Sequence, residues 1–392
     1  MTSYRACRRR FDACLLVSFI IWTVIIYLVA YRGDEVWKNW SHTNLESEDK
    51  PRHFKMITEQ TLPYKTCSPQ ERVVLLRTNC PESDTMATIL QRYGHAKQLS
   101  FAMSADRDVI SLDEKFHRNM AREMLPPLGR LAKTRHRVHD ILASHVRYDH
   151  REINSTVPNA THITVLMEPV KYFEYVFSVH DVDRGLHLIR YKNPIGKFME
   201  NPQAYTDKRF KFWFQVHNGQ IYNLGLDHAD HDDPSKVSEK VENLQKELNF
   251  VLIAEYFDES LVVLRKKLCW RWHDILYFHR PDQVEVLVGK KGYLTPSIAA
   301  SVREWNMADS MLYKHFNNSF WEQVLAYGPT FQEDVQYFRK MRDNAEGDCL
   351  VRDGPESPLF RLKEGAPTYC HSLARSEKEL WQLIRNSQSV KA

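Results

Sequence analysis

The 392-residue sequence has no strong excess of charge of either sign. Its 54 lysines and arginines stand against 50 aspartates and glutamates, which gives a formal net charge of +4. The sequence also has no helix-turn-helix pattern and no zinc-finger spacing. A nucleic-acid-binding protein would show a basic patch or one of these motifs. We therefore exclude nucleic acid as a partner.

Internal repeats and low-complexity tracts are also missing. The composition, with 43% hydrophobic and 27% charged residues, is that of a globular protein and not of a disordered chain. A chain of this length can bury one sizeable core.

One segment near the N-terminus has no charged residue at all. Residues 13–31, ACLLVSFIIWTVIIYLVAY, are close to the roughly 20 residues that a helix needs to span a bilayer. Four arginines precede the segment, which predicts a cytosolic tail over 1–12 and a lumenal C-terminal part. No small-residue cleavage site follows, so a transmembrane signal anchor is favoured and a cleaved signal peptide is the alternative.

A lumenal orientation would make Asn-x-Ser/Thr triplets available for N-glycosylation. The acceptors in such triplets are Asn39, Asn154, Asn159 and Asn317. Five cysteines would face the oxidising lumen, which is an odd number: Cys67, Cys80, Cys269, Cys349 and Cys370. We expect one or two disulfides among them, and the spacing does not reveal their pairing.

Residues 32–70 are polar, mixed in charge and without sustained periodicity, which predicts a stem. A folded domain is predicted over 71–392. Its first segment, ERVVLLRTNCPESDTMATILQRYG at 71–94, contains a continuous apolar run at 73–76 that is typical of a buried parallel strand. Apolar residues at helical spacing follow it: Met86, Ile89, Leu90 and Tyr93. The loop at 77–85 therefore lies at a helix N-terminus, where free N–H groups and the helix dipole favour an anion such as a phosphate.

Strand and helix patterns alternate further along the domain. Short strands are predicted within 139–149, at 163–166 and within 250–257. The helical stripes between and after them are Tyr172, Phe173, Val176 and Phe177, then Val237, Val241, Leu244 and Leu248, then Leu261, Leu264 and Leu268 after an N-cap at Asp258. This alternation predicts a three-layer α/β domain with a mostly parallel central sheet. Beyond about residue 328 the pattern weakens into charged helices and a loop-rich tail.

Three further segments resemble a known family. They are FVLIAEYFDESLVVLRKKLCW at 250–270, WNMADSMLYKHFNNSFW at 305–321 and LASHVRYD at 142–149. Together with the strand and loop at 71–94, the predicted anchor and the stem, they are similar in order and layout to the Golgi galactose 3-O-sulfotransferases, the galactosylceramide sulfotransferase-like enzymes. The resemblance implies a P-loop-like sulfotransferase domain in a single-pass type II Golgi membrane protein.

The resemblance also implies a reaction. A sulfuryl group would pass from 3'-phosphoadenosine 5'-phosphosulfate to the 3-hydroxyl of a terminal galactose on a glycolipid or glycan. Such chemistry needs cationic and backbone donors around the phosphosulfate, and a base for the galactose proton. No metal is expected.

Matched to the family's donor-binding loop, four residues fit and are the expected donor ligands: Arg77, Thr78, Ser83 and Thr85. Other positions depart from the family's pattern. Cys80 replaces a lysine, Asn79 replaces a histidine and Pro81 has no N–H to offer. The carboxylates of Glu82 and Asp84 would repel a bound anion by about 1 to 4 kcal/mol each at close range. Pro, Glu, Ser and Asp are also favoured in the first turn of an ordinary helix, so a loop that caps itself is the alternative.

The family's second nucleotide motif is also altered. Met167, Glu168 and Pro169 stand where the family has Arg-Asp/Glu-Pro, and Tyr175 stands where it has the serine that binds the 3'-phosphate. Lys171 is the expected substitute, as a point charge without the fork of an arginine.

His145 matches the family motif and is the expected catalytic base, with Asp149 or another carboxylate orienting its ring. The alternative is a packed or solvated histidine. Glu255 and Asp258 follow a strand's end, where acceptor contact is expected in α/β folds, and Trp213 and Trp272 are candidates for stacking on sugar.

The sequence DHADHDDPS at 227–235 superficially resembles a metal site because His228 and His231 are three residues apart. A solvated loop leading into a helix is the favoured interpretation. The sequence thus leaves two functions open. The first is a working sulfotransferase, and the second is a catalytically inactive family member that binds a glycan or a protein partner in the lumen.

Overall fold

A computed structural model describes residues 67–105, 109–128, 138–205, 212–279, 294–351 and 360–390. These residues belong to one compact unit, Thr66–Ala392. The predicted tail at 1–12, the anchor at 13–31 and nearly all of the stem lie outside the described residues. None of the described helices has the length and apolarity needed to cross a membrane.

The centre of the domain is a parallel β-sheet. Its strands within the described residues are β1 (Val73–Leu76), β2 (Ile141–Leu142), β3 (Thr161–Leu166) and β4 (Phe250–Ile253), in the order β2-β1-β3-β4. Val73 is opposite Ile141 on one side and Thr161 on the other, and Ile163 is opposite Phe250. The predicted parallel sheet is confirmed.

Helices surround this sheet. Those of the described residues are α1 (Pro81–Ala96), α2 (His150–Thr156), α3 (Pro169–Val179), α4 (Val182–Gly185), α5 (Pro194–Glu200), α6 (Gly219–Asn223), α7 (Pro234–Glu247), α8 (Phe257–Leu268), α9 (Pro296–Trp305), α10 (Met307–Tyr327), α11 (Phe331–Cys349), α12 (Thr368–Ala374) and α13 (Glu377–Val390). Short 3₁₀ helices occur at Met120–Glu123, Pro202–Tyr205, Trp213–Gln215, His228–Asp230, Ala254–Tyr256 and Trp272–Ile275.

Successive residues of a strand point to opposite faces of a sheet. Every residue of β1 and of β4 is nevertheless buried, so both faces are covered. This is the three-layer arrangement that the continuous apolar runs predict.

The strand order places a change of direction at the centre of the sheet. From β1 the chain first adds β2 on one side and then β3 on the other. In open α/β sheets ligands bind at the carboxyl ends of the strands where the order reverses. The loops at 77–80 and 167–168 follow β1 and β3 at this point, so the two sequence motifs lie at the edge of the sheet where a ligand is expected.

The start of α8 differs from the prediction. The N-cap residue is Tyr256, and Asp258 lies inside the first turn. Its carboxylate does not cap the helix because it is bound elsewhere: it accepts hydrogen bonds from the Tyr277 hydroxyl at 2.8 Å, from Arg342 at 2.8 and 2.9 Å, and from Arg339 at 3.0 Å. Asp258 therefore joins α8 to α11 and is not placed for acceptor contact.

The predicted loop-rich tail contains a helix that is part of the core. Three residues spaced four apart on α13 are buried: Leu380, Ile384 and Gln388. The helix lies along α1, and the Gln388 side chain bonds the backbone N–H and C=O of Phe101 at 3.0 and 2.9 Å. A glutamine in the apolar stripe weakens the sequence signal, which explains why this helix reads as part of a tail.

Two disulfides are present among the described residues. Cys67 pairs with Cys269 and Cys349 with Cys370, with Cα–Cα distances of 5.8 and 5.3 Å that are ordinary for disulfides. Cys80 is buried and unpaired, which accounts for the odd count. Because Cys67 is tied to the end of α8, the folded unit begins a few residues before the predicted start at residue 71.

We predict that Asp258→Ala lowers the free energy of unfolding by about 2 to 4 kcal/mol, because it leaves two buried partners, Arg342 and Tyr277, without their acceptor. Chemical denaturation measures the change. Asp343→Ala removes an exposed carboxylate of the same arginine and should cost less than about 1 kcal/mol. Equal losses in the two variants would contradict the structural role of Asp258.

Candidate functional site

Arg77 is the first residue after β1, and it is only 4% exposed. Its guanidinium forms ion pairs with Asp84, from the first turn of α1, and with Glu377, the first residue of α13. Glu377 binds both terminal nitrogens, the second at 3.1 Å. These carboxylates hold the pKa of Arg77 above its ordinary value despite burial. The cation expected to bind the donor is thus occupied by two anions of the chain itself.

The two threonines of the loop bind backbone carbonyl groups. The Thr78 hydroxyl donates to the carbonyl of Val165 at 2.5 Å and so ties β1 to β3, and the Thr85 hydroxyl donates to the carbonyl of Pro81 at 3.1 Å. Ser83 is fully buried, and its hydroxyl has no hydrogen-bond partner among the described residues. Of the four expected donor ligands in this loop, only Arg77 has a charge to offer.

The N-terminus of α1 is formed by a turn at Asn79, whose φ of 58° is left-handed, and by Cys80 as N-cap. The N–H groups of Ser83 and Asp84 donate to the Cys80 carbonyl at 3.0 and 3.3 Å. Glu82 adds a carboxylate at this terminus. Burial raises the pKa of Glu82 to about 7, partly opposed by a bond from its own backbone N–H. Groups of the chain itself therefore occupy much of this helix N-terminus, where a bound anion would otherwise lie.

The second motif holds a network of opposite charges. Glu168 caps α3 by accepting from the N–H groups of Val170 and Lys171 at 3.0 and 3.2 Å, and its other oxygen accepts from Arg303 on α9 at 2.9 Å. The Lys171 ammonium is 61% exposed and lies 3.8 Å from Glu255. Arg303 is a second positive charge at this edge of the sheet, and no motif in the sequence identified it.

Glu255 is held in place by two donors as well as facing Lys171. It accepts from the backbone N–H of Glu168 at 3.0 Å and from the Tyr313 hydroxyl at 3.1 Å. Tyr175, in place of the family's serine, is partly buried near the first loop. Burial raises its phenol pKa, and the charges of Asp84 and Glu82 raise it further. The edge of the sheet at β1, β3 and β4 thus combines three cationic side chains with five carboxyl groups.

His145 follows β2 and is half-buried. Its backbone carbonyl accepts from the N–H groups of Ile110 and Ser111 at 3.0 and 3.2 Å. Burial lowers the pKa of its imidazole well below 6.5, and the positive charge of Arg77 lowers it further. His145 is thus neutral at pH 7 and lies within the electrostatic range of Arg77, although the two residues are 68 positions apart in the sequence.

Asp149, which the sequence suggested as one carboxylate that could orient His145, has a structural role in the described residues. Asp149 is the N-cap of α2 and accepts from the N–H of Glu152 at 3.0 Å. Arg147, between the two, is also structural: it donates to the carbonyl groups of Tyr222 and Leu226 and to the Asp227 carboxylate at 2.8 to 3.1 Å. The described contacts of the segment HVRYD are thus mostly packing and helix capping.

A polar cleft of about 470 Å³ lies beside the backbone of His145. Ile110 and Ser111 line it, together with Asp113, Glu114 and Asn119. The cleft has the polar side chains that a sugar needs. It is larger than a second cavity of about 70 Å³ among the described residues.

The two tryptophans expected to stack on sugar have packing partners. Trp272 lies under the guanidinium of Arg265 at 3.7 Å and beside the rings of Tyr337 and Phe338. Trp213 packs edge-on against His228 with ring centroids 4.8 Å apart. Neither ring is placed at the carboxyl ends of β1 and β3 by any contact in the described part of the chain.

The fit of a phosphosulfate to this site depends on Glu377. With Glu377 and Asp84 on Arg77, a doubly charged anion would meet two carboxylates and one shared cation. With Glu377 withdrawn, Arg77 would present two N–H groups in the planar geometry that suits a phosphate or sulfate. The residues therefore fit the donor only in an arrangement that differs from the one described here.

Comparison with known proteins gives the lineage. The profile of the family described as Galactose-3-O-sulfotransferase matches residues 5–361. Galactosylceramide sulfotransferase of Homo sapiens is 31% identical over 287 residues, 72% of this chain and 65% of the relative. The Bos taurus protein of that name is 28% identical over 344 residues, 86% of this chain and 78% of the relative. Galactose-3-O-sulfotransferase 3 of Bos taurus is 29% identical over 297 residues, 74% of this chain and 66% of the relative.

No solved structure matches the chain. The family profile covers almost the whole sequence, including the loop at 77–85, the segment around His145 and both later segments that carry the resemblance. The chain belongs to the galactose-3-O-sulfotransferase family.

Proposed function

We propose that this protein is a galactose 3-O-sulfotransferase that transfers a sulfuryl group from 3'-phosphoadenosine 5'-phosphosulfate to a galactose-terminated glycolipid or glycan. The observation that carries the proposal is the position of Arg77 and His145, which follow the carboxyl ends of the neighbouring parallel strands β1 and β2. One residue supplies a cation for the donor. The other supplies a base for the galactose 3-hydroxyl, within the edge of the sheet where α/β proteins bind ligands.

His145 can accept a proton because it is neutral, but its lowered pKa makes it a weak base. An anionic donor near Arg77 would offset the positive charge that lowers this pKa. The base would then become stronger when the donor is bound. The polar cleft beside the His145 backbone is where we place the acceptor sugar.

The family relationship and the disulfides support an address in the secretory pathway. Disulfides persist in oxidising compartments, and Asn154 and Asn159 are exposed while Asn317 lies part-buried within α10. We propose a Golgi type II membrane protein anchored by residues 13–31 and glycosylated at Asn154 and Asn159.

A second function is favoured by one specific observation. The two terminal nitrogens of Arg77 are engaged by carboxylates, and the hydroxyls of Thr78 and Thr85 are engaged by backbone carbonyls. A chain whose donor site is permanently filled in this way would act as a glycan-binding or partner-binding module without catalysis.

Calorimetric titration of the full chain in detergent with adenosine 3',5'-bisphosphate separates the two. Saturable binding in the micromolar range supports the enzyme. Absence of binding at millimolar nucleotide, both in the wild type and in the Glu377 variant described next, supports the non-catalytic module.

We predict that Glu377→Gln tightens nucleotide binding by about tenfold or more. The variant removes an anion that competes for Arg77, and one charge interaction at this range is worth about 1 to 4 kcal/mol, where 1.4 kcal/mol is a factor of ten. Glu379→Gln removes the same charge from the same helix without contacting Arg77 and should leave affinity unchanged. Equal affinity in all three proteins would show that Glu377 does not compete with the donor.

We predict that nucleotide affinity in the wild type weakens as pH rises through about 7, where Glu82 loses its proton. Because burial raises the pKa of Glu82, its carboxyl group is neutral below about pH 7 and repels the anion only when it is ionised above that pH. The nucleotide's own phosphates titrate near pH 6 and act in the opposite sense, so the comparison is between proteins. Glu82→Gln should gain about threefold to tenfold over the wild type at about pH 8 and nothing at about pH 6. A constant ratio would contradict the assignment.

We predict that His145→Ala lowers the rate of sulfate transfer at least about 100-fold and leaves nucleotide affinity unchanged, because a general base acts on the acceptor. Transfer of radiolabelled sulfate to galactosylceramide measures the rate. His273→Ala, which removes an exposed histidine, is the control. Unchanged turnover in His145→Ala would remove this residue from the mechanism.

A further inference from the structure

Three histidine side chains lie close together near Leu226, whose carbonyl is also contacted by Arg147. They are His217, which follows the 3₁₀ helix Trp213–Gln215, and His228 and His231, which flank the next 3₁₀ turn. One ring nitrogen of each lies within 4.8 Å of one from each of the others. The spacing of His228 and His231 is visible in the sequence. His217 lies 11 residues earlier, and only the fold brings it to them.

Two buried nitrogens of this cluster, one on His217 and one on His231, have no hydrogen-bond partner among the described residues. His217 Nδ1 faces His228 Nε2 at 3.2 Å, while His217 Nε2 and His231 Nδ1 are buried without a hydrogen-bond partner among the described residues. His217 and His231 are 3% and 0% exposed. A buried polar atom without a partner is costly, and each such atom in a native protein requires an explanation such as an ion.

A change of tautomer does not solve the problem. If His217 Nδ1 donates to His228, then Nε2 is a buried lone pair without a donor. If Nδ1 accepts, then Nε2–H is buried, and Asp232 Oδ1 lies 3.8 Å from Nε2, beyond hydrogen-bond distance. In either tautomer His217 Nε2 therefore lacks a hydrogen-bond partner among the described residues, and so does His231 Nδ1.

We propose that His217, His228 and His231 bind a divalent metal ion of the zinc class. Zn–N bonds are about 2.0–2.1 Å long and nearly tetrahedral, which places two ligand nitrogens about 3.4 Å apart, close to the 3.2 Å between His217 and His228. The nitrogens of the other pairs lie within 4.8 Å of each other, so a shift of at most about 1.4 Å brings them to that spacing. Three imidazoles suit zinc, copper or nickel, and not magnesium or calcium, which prefer oxygen ligands.

The surroundings provide the outer groups that metal-binding histidines use. His231 Nε2 lies 3.4 Å from the Leu226 carbonyl, and Asp232 Oδ1 lies 3.8 Å from His217 Nε2. A carbonyl or carboxylate on the second ring nitrogen orients a ligating histidine and strengthens it as a donor.

Packing fixes the position of the first ligand. His217 stacks on Trp305 with ring centroids 4.0 Å apart, and the Trp305 indole N–H donates to the carbonyl of Val216 at 2.9 Å. His228 is half-buried and Asp232 is exposed, so the cluster reaches the surface on one side. A water molecule or Asp232 can complete a four-coordinate site there.

The site would stabilise the segment next to the proposed base. Leu226, whose carbonyl faces His231, also accepts a hydrogen bond from Arg147 at 2.8 Å. Arg147 lies two residues from His145. The metal would therefore hold together the turn at 226–231 and the segment after β2, and this role does not depend on sulfate transfer.

The test is metal binding by the full chain after dialysis against a chelator. We expect one equivalent of ZnCl₂ to bind in competition with a chromophoric chelator, Co²⁺ to give the visible absorption of a tetrahedral site, and Zn²⁺ to raise the unfolding temperature. His228→Gln keeps the size and polarity of the ring but loses the ligand. It should weaken Zn²⁺ affinity by at least about 100-fold and abolish the rise in unfolding temperature.

His150→Ala is the matched control, because it removes a histidine from a different histidine contact, His150 to His162 with centroids 5.4 Å apart. It should bind Zn²⁺ like the wild type. His231→Asn is a second ligand variant, and circular dichroism shows whether each variant folds. Absence of stoichiometric Zn²⁺ binding by the wild type would overturn the proposal, as would equal affinities in His228→Gln, His231→Asn and the control.

Discussion

The ion pairs of Arg77 are the interaction on which the candidate site depends. A buried guanidinium is costly unless it is paired and hydrogen-bonded, and here Asp84 and Glu377 both neutralise it. Glu377 begins α13, which lies along α1. The same contact therefore docks the C-terminal helix on the domain and occupies the cation that a sulfate donor needs.

This arrangement changes the meaning of the altered donor loop. Considered alone, Cys80, Glu82 and Asp84 indicate lost affinity for an anion. In the structure Asp84 has a positive partner, and burial of Glu82 raises its pKa to about 7, so only part of the expected repulsion acts at neutral pH. The second anion on Arg77 comes from Glu377, which lies 300 residues from it in the sequence.

Local patterns predicted the sheet and the position of the site, because both depend on neighbouring residues. The apolar run of β1, the helical stripe of α1 and the Glu-Pro start of α3 are local signals, and parallel strands bring their carboxyl ends together. The predicted N-cap at Asp258 was wrong because a carboxylate at the start of a helix can cap it, as Asp149 does, or bind a distant arginine, and only tertiary contacts decide. Glu377, Arg303 and His217 could not be assigned for the same reason: each acts through a partner far away in the chain.

Arg77 and Glu377 lie 300 residues apart in the sequence and belong to different elements of the domain. The chain can therefore retain the family fold while access to Arg77 depends on the position of Glu377. Withdrawal of Glu377 does not require any change in β1, α1 or the position of His145, because these are held by the sheet and by backbone hydrogen bonds. It requires only that the first residue of α13 gives up its contact with Arg77, while Leu380, Ile384 and Gln388 keep the rest of the helix docked. The position of the proposed base and the accessibility of Arg77 are therefore set by different parts of the molecule, and a change in one can occur without loss of the other.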